Sequence, residues 1–236
     1  MGVVNLLAVD CSGFSASIAI RQNSVSAGLE LEKNEKTAQY LVPRICSLLK
    51  SEDLDLENVD GFAVTAGPGS FTGLRIGITT IKSLAYVRQK KTVGVNSLAA
   101  LAECAKGQEL WQSGSLVVVL NAFRQQFFAA VFDFDRWEEQ SVQGDSCTRV
   151  IPQSELVELV LSENAKLIGA GMDCLVKKDR DRIRDRVLPH EQLGNTATGV
   201  AAVANRCFEL GISTEPLSLV PNYFRGSAAE EKLDGS

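Results

Sequence analysis

The same order of strand and helix patterns occurs twice along this chain, and it constrains the fold more than any other feature. Near the start, LLAVDCSGFSASIAI (6–20) predicts two strands joined by a glycine-containing turn. In the second half, SLVVVLNAFRQQFFAAVFDF (115–134) again predicts strand, turn and strand, because short apolar runs separated by turn residues are typical of hairpins. Helical patterns and single strands follow each hairpin. The chain is therefore predicted to form two α/β lobes with mixed sheets and flanking helices.

The remaining pattern places the other elements and the boundary between the lobes. A third strand is predicted at 25–33, and helical spacing predicts a helix over 37–50, in which Pro43 introduces a kink or moves the start. A strand is then predicted at 61–67, a helix from the following loop to about residue 88, a strand at 91–96 and a helix at 97–105. In the second half, a helix is predicted at 152–163, a strand at 165–171 and a helix at 196–210. Because the pattern breaks at 106–115, we predict an N-terminal lobe over 1–106, a C-terminal lobe over 107–225 and a fraying polar tail over 226–236.

Bulk composition narrows the classes of function. The chain has 236 residues and a formal net charge of −5. A protein that binds phosphate backbones without sequence preference is normally basic, so this charge argues against free-standing nucleic-acid binding. The six cysteines include no CxxC pair, which favours reduced thiols, and neither a leader nor an apolar run of about 18 residues occurs. We therefore expect a cytoplasmic protein without membrane contact.

A glycine-rich loop, TAGPGSFTGLRIGITT (65–80), is the most unusual stretch of the sequence. Its glycine spacing does not match the GxxxxGK[ST] phosphate loop, the GxGxxG dinucleotide loop or the GxSxG nucleophile turn. We predict a tight connection from strand to helix, capped by Ser70 or Thr72, although such a helix start remains able to hold an anion. The residues assigned to this loop and helix start are Gly67, Pro68, Gly69, Ser70, Thr72, Gly73 and Arg75.

The helix after this loop carries two uncharged faces. The face expected to pack on the sheet consists of Leu74, Ile78, Ile81 and Ala85. A second stripe, where a surface helix usually carries charge, consists of Ile76, Thr80, Ser83 and Val87. Either another layer of the same domain covers this stripe or it is a subunit interface. Tyr40 on the preceding helix, opposite the apolar face, is a further interface candidate.

Three stretches, in order along the chain, resemble the TsaB family, also called YeaZ. They are LLAVDCSGFSASIAI (6–20), AGPGSFTGLRIGITTIKSLAY (66–86) and GVNSLAALA (94–102), and YFRGSAAE (223–230) resembles the family's C-terminal Tyr-x-Arg element. The resemblance implies an actin-like (ASKHA) two-lobed fold built from duplicated ribonuclease-H-like lobes. It also implies a role in forming threonylcarbamoyladenosine beside the anticodon of tRNAs that read ANN codons.

The resemblance also implies partners. Such a chain is similar to the catalytic subunit TsaD, forms a heterodimer with it through N-lobe helices, and meets the ATPase TsaE through the complex, while TsaC supplies threonylcarbamoyl-adenylate. Older descriptions call these chains glycoprotease-like. Contact with tRNA is then expected to be indirect or weak, and the chain alone is able to form a homodimer. The expected partner-interface residues are Tyr40, Ile76, Thr80, Ser83 and Val87.

One motif separates a partner from a catalyst. The TsaD family carries two metal-binding histidines four residues apart in a GVNHxxxH context, and a helix places both on one face. Here GVNSLAAL has Ser97 and Leu101 at those positions, and the single histidine of the chain, His190, lies far away. Leucine cannot bind a metal and serine is a poor replacement. We therefore expect no catalytic residue, no metal and no cofactor.

Several alternatives remain open at this point. An actin-like ATPase or small-molecule kinase would use Asp10, at the end of the first strand, near phosphate or metal. The structural alternative is that Asp10 caps the hairpin or pairs with a neighbouring backbone N–H. A metal-dependent peptidase would need the missing histidines. The charged stretch KKDRDRIRDR (177–186) either contacts tRNA phosphates or forms a solvated helix whose charges pair internally.

Overall fold

The computed structural model describes residues 5–13, 15–23, 25–32 and 34–224, without the side chains of Val25, Ser26 and Asp173. The predicted tail at 226–236 and Arg225 of the Tyr-x-Arg element lie outside the described residues. Within the described part, no helix is long and apolar enough to cross a membrane.

The first half of the chain forms a five-stranded mixed sheet. Its strands are β1 (Asn5–Asp10), β2 (Ser17–Gln22), β3 (Val25–Glu30), β4 (Gly61–Gly67) and β5 (Thr92–Asn96). They lie in the order β3-β2-β1-β4-β5, in which β1 to β3 form the predicted antiparallel meander and β4 and β5 run parallel to β1. Three helices connect these strands or follow them: α1 (Thr37–Ser51), α2 (Phe71–Arg88) and α3 (Ser97–Gly107).

The second half repeats this arrangement with four strands. They are β6 (Ser115–Phe123), β7 (Gln126–Asp133), β8 (Thr148–Pro152) and β9 (Lys166–Gly169), in the order β8-β7-β6-β9. β6 is antiparallel to β7 and parallel to β9, which reproduces the order β3-β2-β1-β4 of the first sheet. The helices are α4 (Trp137–Val142), α5 (Gly144–Cys147), α6 (Gln153–Ser162), α7 (Lys177–Ile183) and α8 (Thr196–Glu209).

Helices and sheets alternate in layers. Helices α1 and α2 cover the outer face of the first sheet, whereas α6 and α7 cover the outer face of the second. Between the sheets, α3 and α8 pack in one core that includes Ala8, Val118 and Trp137. The two helices approach closely at Gly199, where a Cβ would lie 2.2 Å from the Ala100 carbonyl oxygen. This duplicated arrangement confirms the predicted actin-like architecture.

Helix α8 ties the halves together, because it belongs to the second half in sequence yet packs on β1 and β2 of the first sheet. The division into lobes at residues 106 and 107 stays a prediction. The apolar pattern of α8 explains its position, since Val200, Ala201 and Ala204 are buried in the inner core.

Candidate partner-binding surface and the surroundings of Asp10

The glycine-rich loop packs against protein on two sides. It begins at the cis Gly67–Pro68 peptide bond and leads directly into α2. The Ser70 backbone N–H donates to the Ser12 carbonyl oxygen at 2.8 Å, and the Asn222 N–H donates to the Ala66 oxygen at 2.7 Å. The turn between β1 and β2 and the C-terminal segment therefore hold the loop in place. Its role here is to connect strand and helix.

Close backbone packing explains the glycines of this loop. A Cβ at Gly73 would lie 2.1 Å from the Cys11 carbonyl oxygen, and a Cβ at Gly69 would lie 2.6 Å from the Ser12 oxygen. Gly67 has φ +132°, a conformation that other residues rarely adopt. Ser70 caps α2 by accepting a hydrogen bond from the Gly73 N–H at 3.2 Å, while Thr72 is exposed. Of the two predicted capping residues, Ser70 is the one used.

Asp10 is buried at the end of β1 and receives four hydrogen bonds. Its Oδ1 accepts from the Ser12 N–H at 2.8 Å, the Ser12 hydroxyl at 2.7 Å and the Thr65 hydroxyl at 2.8 Å. Its Oδ2 accepts from the Thr196 hydroxyl at 2.5 Å. A carboxylate has about four acceptor positions. The groups around Asp10 therefore use its hydrogen-bonding capacity to join β1, β4 and α8, as the structural alternative in the sequence analysis expects.

Replacing Asp10 with alanine should lower the free energy of unfolding by about 3 kcal/mol, because the buried Thr65 hydroxyl and the half-buried Thr196 hydroxyl lose the carboxylate that accepts from them. Urea unfolding followed by circular dichroism measures the change. Asp181→Ala, at an exposed position on α7, is the control and should shift stability by about 0.5 kcal/mol or less. Equal stability of the Asp10→Ala variant and the wild type would contradict this role for Asp10.

The positions that correspond to the metal-binding histidines lie at the start of α3. Ser97 is 1% exposed, and its Oγ has no hydrogen-bond partner within the described structure. Leu101 is half-buried and packs against the inner core. His190 lies on a separate surface turn beside Glu191. Among the described residues, no group of three His, Cys, Asp or Glu side chains lies close enough to hold a metal ion.

A cleft of about 470 Å³ lies between β5, the region from α4 to α5, and α8. Asn96 lines it and caps α3, and its Nδ2 donates to Asp145 Oδ1 at 2.8 Å and to the Thr148 hydroxyl at 3.0 Å. Asp145 Oδ2 accepts from Asn222 of the C-terminal segment. The polar side chains Asn96 and Asp145 are thus engaged in joining the two halves of the chain.

Three buried cysteines lie in the cores, and burial raises the pKa of each thiol. The pKa of Cys104, which lies on α3, rises to about 12 through loss of solvation. Burial likewise raises the pKa of Cys11 and of Cys207, the thiol that lines the cleft. These thiols are neutral at physiological pH and do not serve as nucleophiles there.

Helix α2 presents an outer face on which Arg75 is the one exposed charged residue. Leu74, Ile78, Ile81 and Ala85 are buried, as predicted for the face on the sheet. Of the stripe predicted as a partner interface, Ile76 and Thr80 are half-buried, whereas Ser83 and Val87 are exposed, Val87 by 72%. Tyr40 on α1 is 37% exposed. Thr79 and Tyr86, which the sequence analysis did not include, share the exposed face, and Tyr86 is 59% exposed.

The C-terminal segment packs along the other flank of α2. Lys82 Nζ donates to the Leu219 carbonyl oxygen at 3.2 Å, and Leu219 is buried. At the start of α2, the Phe71 and Tyr223 rings stack with centroids 4.9 Å apart. The Arg75 guanidinium lies 3.9 Å from the Phe71 ring centroid, and its Nε donates to the Tyr223 hydroxyl at 3.0 Å. This contact gives Arg75 and Tyr223 a shared structural role.

Exposed apolar side chains concentrate around α2. Of the twelve large hydrophobic residues that are exposed in the described structure, eight lie on α1, α2 or the C-terminal segment. Together they define the α2 surface: Tyr40, Val42, Phe71, Tyr86, Val87, Leu217, Val220 and Tyr223. A soluble monomer rarely exposes such a concentration without a partner. The sequence pattern did not indicate the C-terminal part of the α2 surface, for which the Tyr-x-Arg element was the available signal.

Comparison with known proteins gives a consistent picture. Residues 32–167 match the TsaD family model, described as tRNA N6-adenosine threonylcarbamoyltransferase. The tRNA threonylcarbamoyladenosine biosynthesis protein TsaB of Bacillus subtilis (strain 168) is 26% identical over 233 residues, covering 97% of each chain. TsaB of Escherichia coli (strain K12) is 26% identical over 239 residues, covering 98% of this chain and 99% of its own. YeaZ from Pseudomonas aeruginosa shares the fold, with TM-score 0.71 at 23% identity, covering 93% of this chain and 99% of its own.

Proposed function

Because the chain belongs to the TsaB (YeaZ) family, a group related to the TsaD model that it matches, we propose that it is a non-catalytic subunit supporting a TsaD-type threonylcarbamoyltransferase. The family places the chain in the biosynthesis of tRNA threonylcarbamoyladenosine. The chain would bind the catalytic subunit and stabilise the active form of that subunit. The tRNA substrate of this chemistry supports a location in the cytoplasm.

The observation that carries the proposal is the α2 surface. Exposed apolar side chains lie at both ends of α2, at Phe71 and at Tyr86 and Val87, and the uncharged residues Thr79 and Ser83 are exposed between them. Small side chains let a second helix approach closely, and the surrounding aromatic residues are of the kind enriched at interfaces. A helix of the TsaD-type subunit is therefore the proposed occupant. The TsaE-type ATPase would join through this complex, and two copies of the chain would pair through the same surface when the partner is absent.

Two features support a role without catalysis. Asp10 accepts four hydrogen bonds from groups of its own fold, which fits a structural role better than the binding of a metal or a phosphate. Ser97 and Leu101 stand where the TsaD family has histidines, and they cannot replace those ligands. The proposed subunit thus contributes a binding surface for its partner, while the partner contributes the metal and the reacting groups.

Light scattering after gel filtration tests the proposal, on this chain mixed with the TsaD-type subunit of the same organism, with and without ATP. We expect a complex that contains the two chains in equal number. Separate elution of the two chains under every condition would contradict the proposal. In that case, ATP hydrolysis by the isolated chain would favour an actin-like ATPase or kinase instead.

A further inference from the structure

Helix α7 carries cations that the described chain leaves unpaired. The charged groups of Lys177, Lys178 and Arg180 are exposed and form no ion pair or hydrogen bond with described residues; we call these three residues, in the first turn of α7, the basic face. Arg182 instead pairs with Glu158 on α6 at 2.7 Å. Of the alternatives for this stretch, the described residues show the solvated helix, but without ion pairs inside the stretch. On α7 itself, Asp179 is half-buried and Asp181 is the exposed acid.

An exposed aromatic ring marks the turn between β6 and β7. Phe123 is 71% exposed, the second highest value among the exposed large hydrophobic residues of the described structure. Phe123, Arg124 and Gln125 all have positive φ, at 60°, 49° and 62°. Left-handed backbone costs roughly 1–2 kcal/mol per non-glycine residue. The Phe123 ring is therefore exposed to solvent although the backbone at Phe123 adopts an unfavourable conformation.

The aromatic turn and the basic face lie at one edge of the second sheet. Since β6 and β9 are parallel, their carboxyl ends share this edge. Asn121, near the end of β6, donates from Nδ2 to Cys174 Sγ at 3.5 Å, and its Oδ1 accepts from the Phe123 N–H at 2.7 Å. Cys174 is two residues before Val176, which is 64% exposed and directly precedes α7. The contact at Asn121 thus fixes the turn relative to the start of the basic face.

We propose that this edge binds an unpaired segment of RNA, with the basic face on phosphates and the Phe123 ring stacked on a base. Lysine and arginine neutralise phosphates, and unpaired RNA bases stack on aromatic side chains. The combination distinguishes RNA from an acidic protein, which offers charge but no base to stack. The inference rests on the proposed function in taking the RNA to be the tRNA that the complex modifies. It replaces the expectation of indirect or weak tRNA contact.

Fluorescence anisotropy tests the site, with the full chain titrated into a fluorescein-labelled anticodon stem-loop of a tRNA that reads an ANN codon. Phe123→Ala should weaken binding about fivefold or more, the loss of one stacked base. Lys177→Glu with Lys178→Glu should weaken it about tenfold or more. The negative slope of log affinity against log salt should become shallower by about 2. The control is Lys36→Glu with Lys50→Glu, which makes the same charge change at two exposed lysines, one at each end of α1 in the first half of the chain. It should change affinity less than twofold.

Either of two results would overturn the site: wild-type affinity of the basic-face variant for the RNA, or a control variant whose RNA binding is weakened as much as that of the basic-face variant. All variants are also run in the light-scattering assay with the TsaD-type subunit. Normal complex formation with unchanged RNA binding rejects the RNA site alone. Failure of the wild-type chain to form the complex rejects the proposed function independently of RNA.

Discussion

The Gly73→Ala variant should be less stable than the wild type by about 3 kcal/mol, a value at the upper end for an overpacked site. The added Cβ would lie 2.1 Å from the Cys11 carbonyl oxygen. The atom it meets is backbone, so no side chain can rotate away, and α2 must move off β1. That movement would disturb the loop at Ser70 and the contact of Ser12 with Asp10.

Thermal unfolding measures this effect, and a drop in Tm of roughly 6–12 °C is expected at 2–4 °C per kcal/mol for a chain of this size. Gly107→Ala is the matched control, since Gly107 is also helical and a Cβ there meets nothing within 4 Å. Alanine at that position should leave the Tm unchanged or raise it slightly. Equal Tm values for the two variants would show that close packing does not explain Gly73.

The Val87→Arg variant should bind the TsaD-type subunit about 100-fold more weakly or worse, because it would place an unpaired charge within the proposed apolar contact. Ser83→Arg should act similarly by blocking the close approach of a partner helix. Both residues are exposed, so neither change disturbs the core of this chain. Ile76 and Thr80 are less suitable, because both are half-buried beside the sheet.

Isothermal titration calorimetry measures this loss of affinity. Val176→Arg is the matched control: Val176 is 64% exposed, compared with 72% for Val87, but it lies on the second half of the chain, before α7. The control should bind the TsaD-type subunit as the wild type does. Unchanged affinity of Val87→Arg would remove α2 from the interface.

The sequence predicted the elements whose apolar period is long and regular. The β1–β2 hairpin, the buried face of α2 and the final helix α8 each bury many residues in a repeating pattern, and the structure confirms them. Strand β8 was missed, because it is a five-residue edge strand in which only Ile151 is buried. Helix α1 continues through Pro43 and does not begin at it.

The contacts of the candidate site were harder to predict from the sequence than the helices and strands were. The failure of the phosphate motifs indicated that the loop at Gly67 connects strand and helix, and close packing on Ser12 and Cys11 gives the physical reason. The stacking of Phe71 on Tyr223 joins residues 152 positions apart, and no local period reveals such a contact. The pairing of Arg182 with Glu158 instead of with a neighbouring aspartate also depends on how α6 and α7 pack.

Reconstituted tRNA modification tests the central claim most directly. The tRNA is incubated with ATP, threonine, bicarbonate, the TsaC-, TsaD- and TsaE-type proteins and either the wild-type chain or the Val87→Arg variant, and threonylcarbamoyladenosine is measured by mass spectrometry of the nucleosides. Our account predicts full modification with the wild-type chain and almost none with the variant or when either this chain or the TsaD-type subunit is omitted. Modification by this chain without the TsaD-type subunit, or equal modification with the Val87→Arg variant, would contradict it.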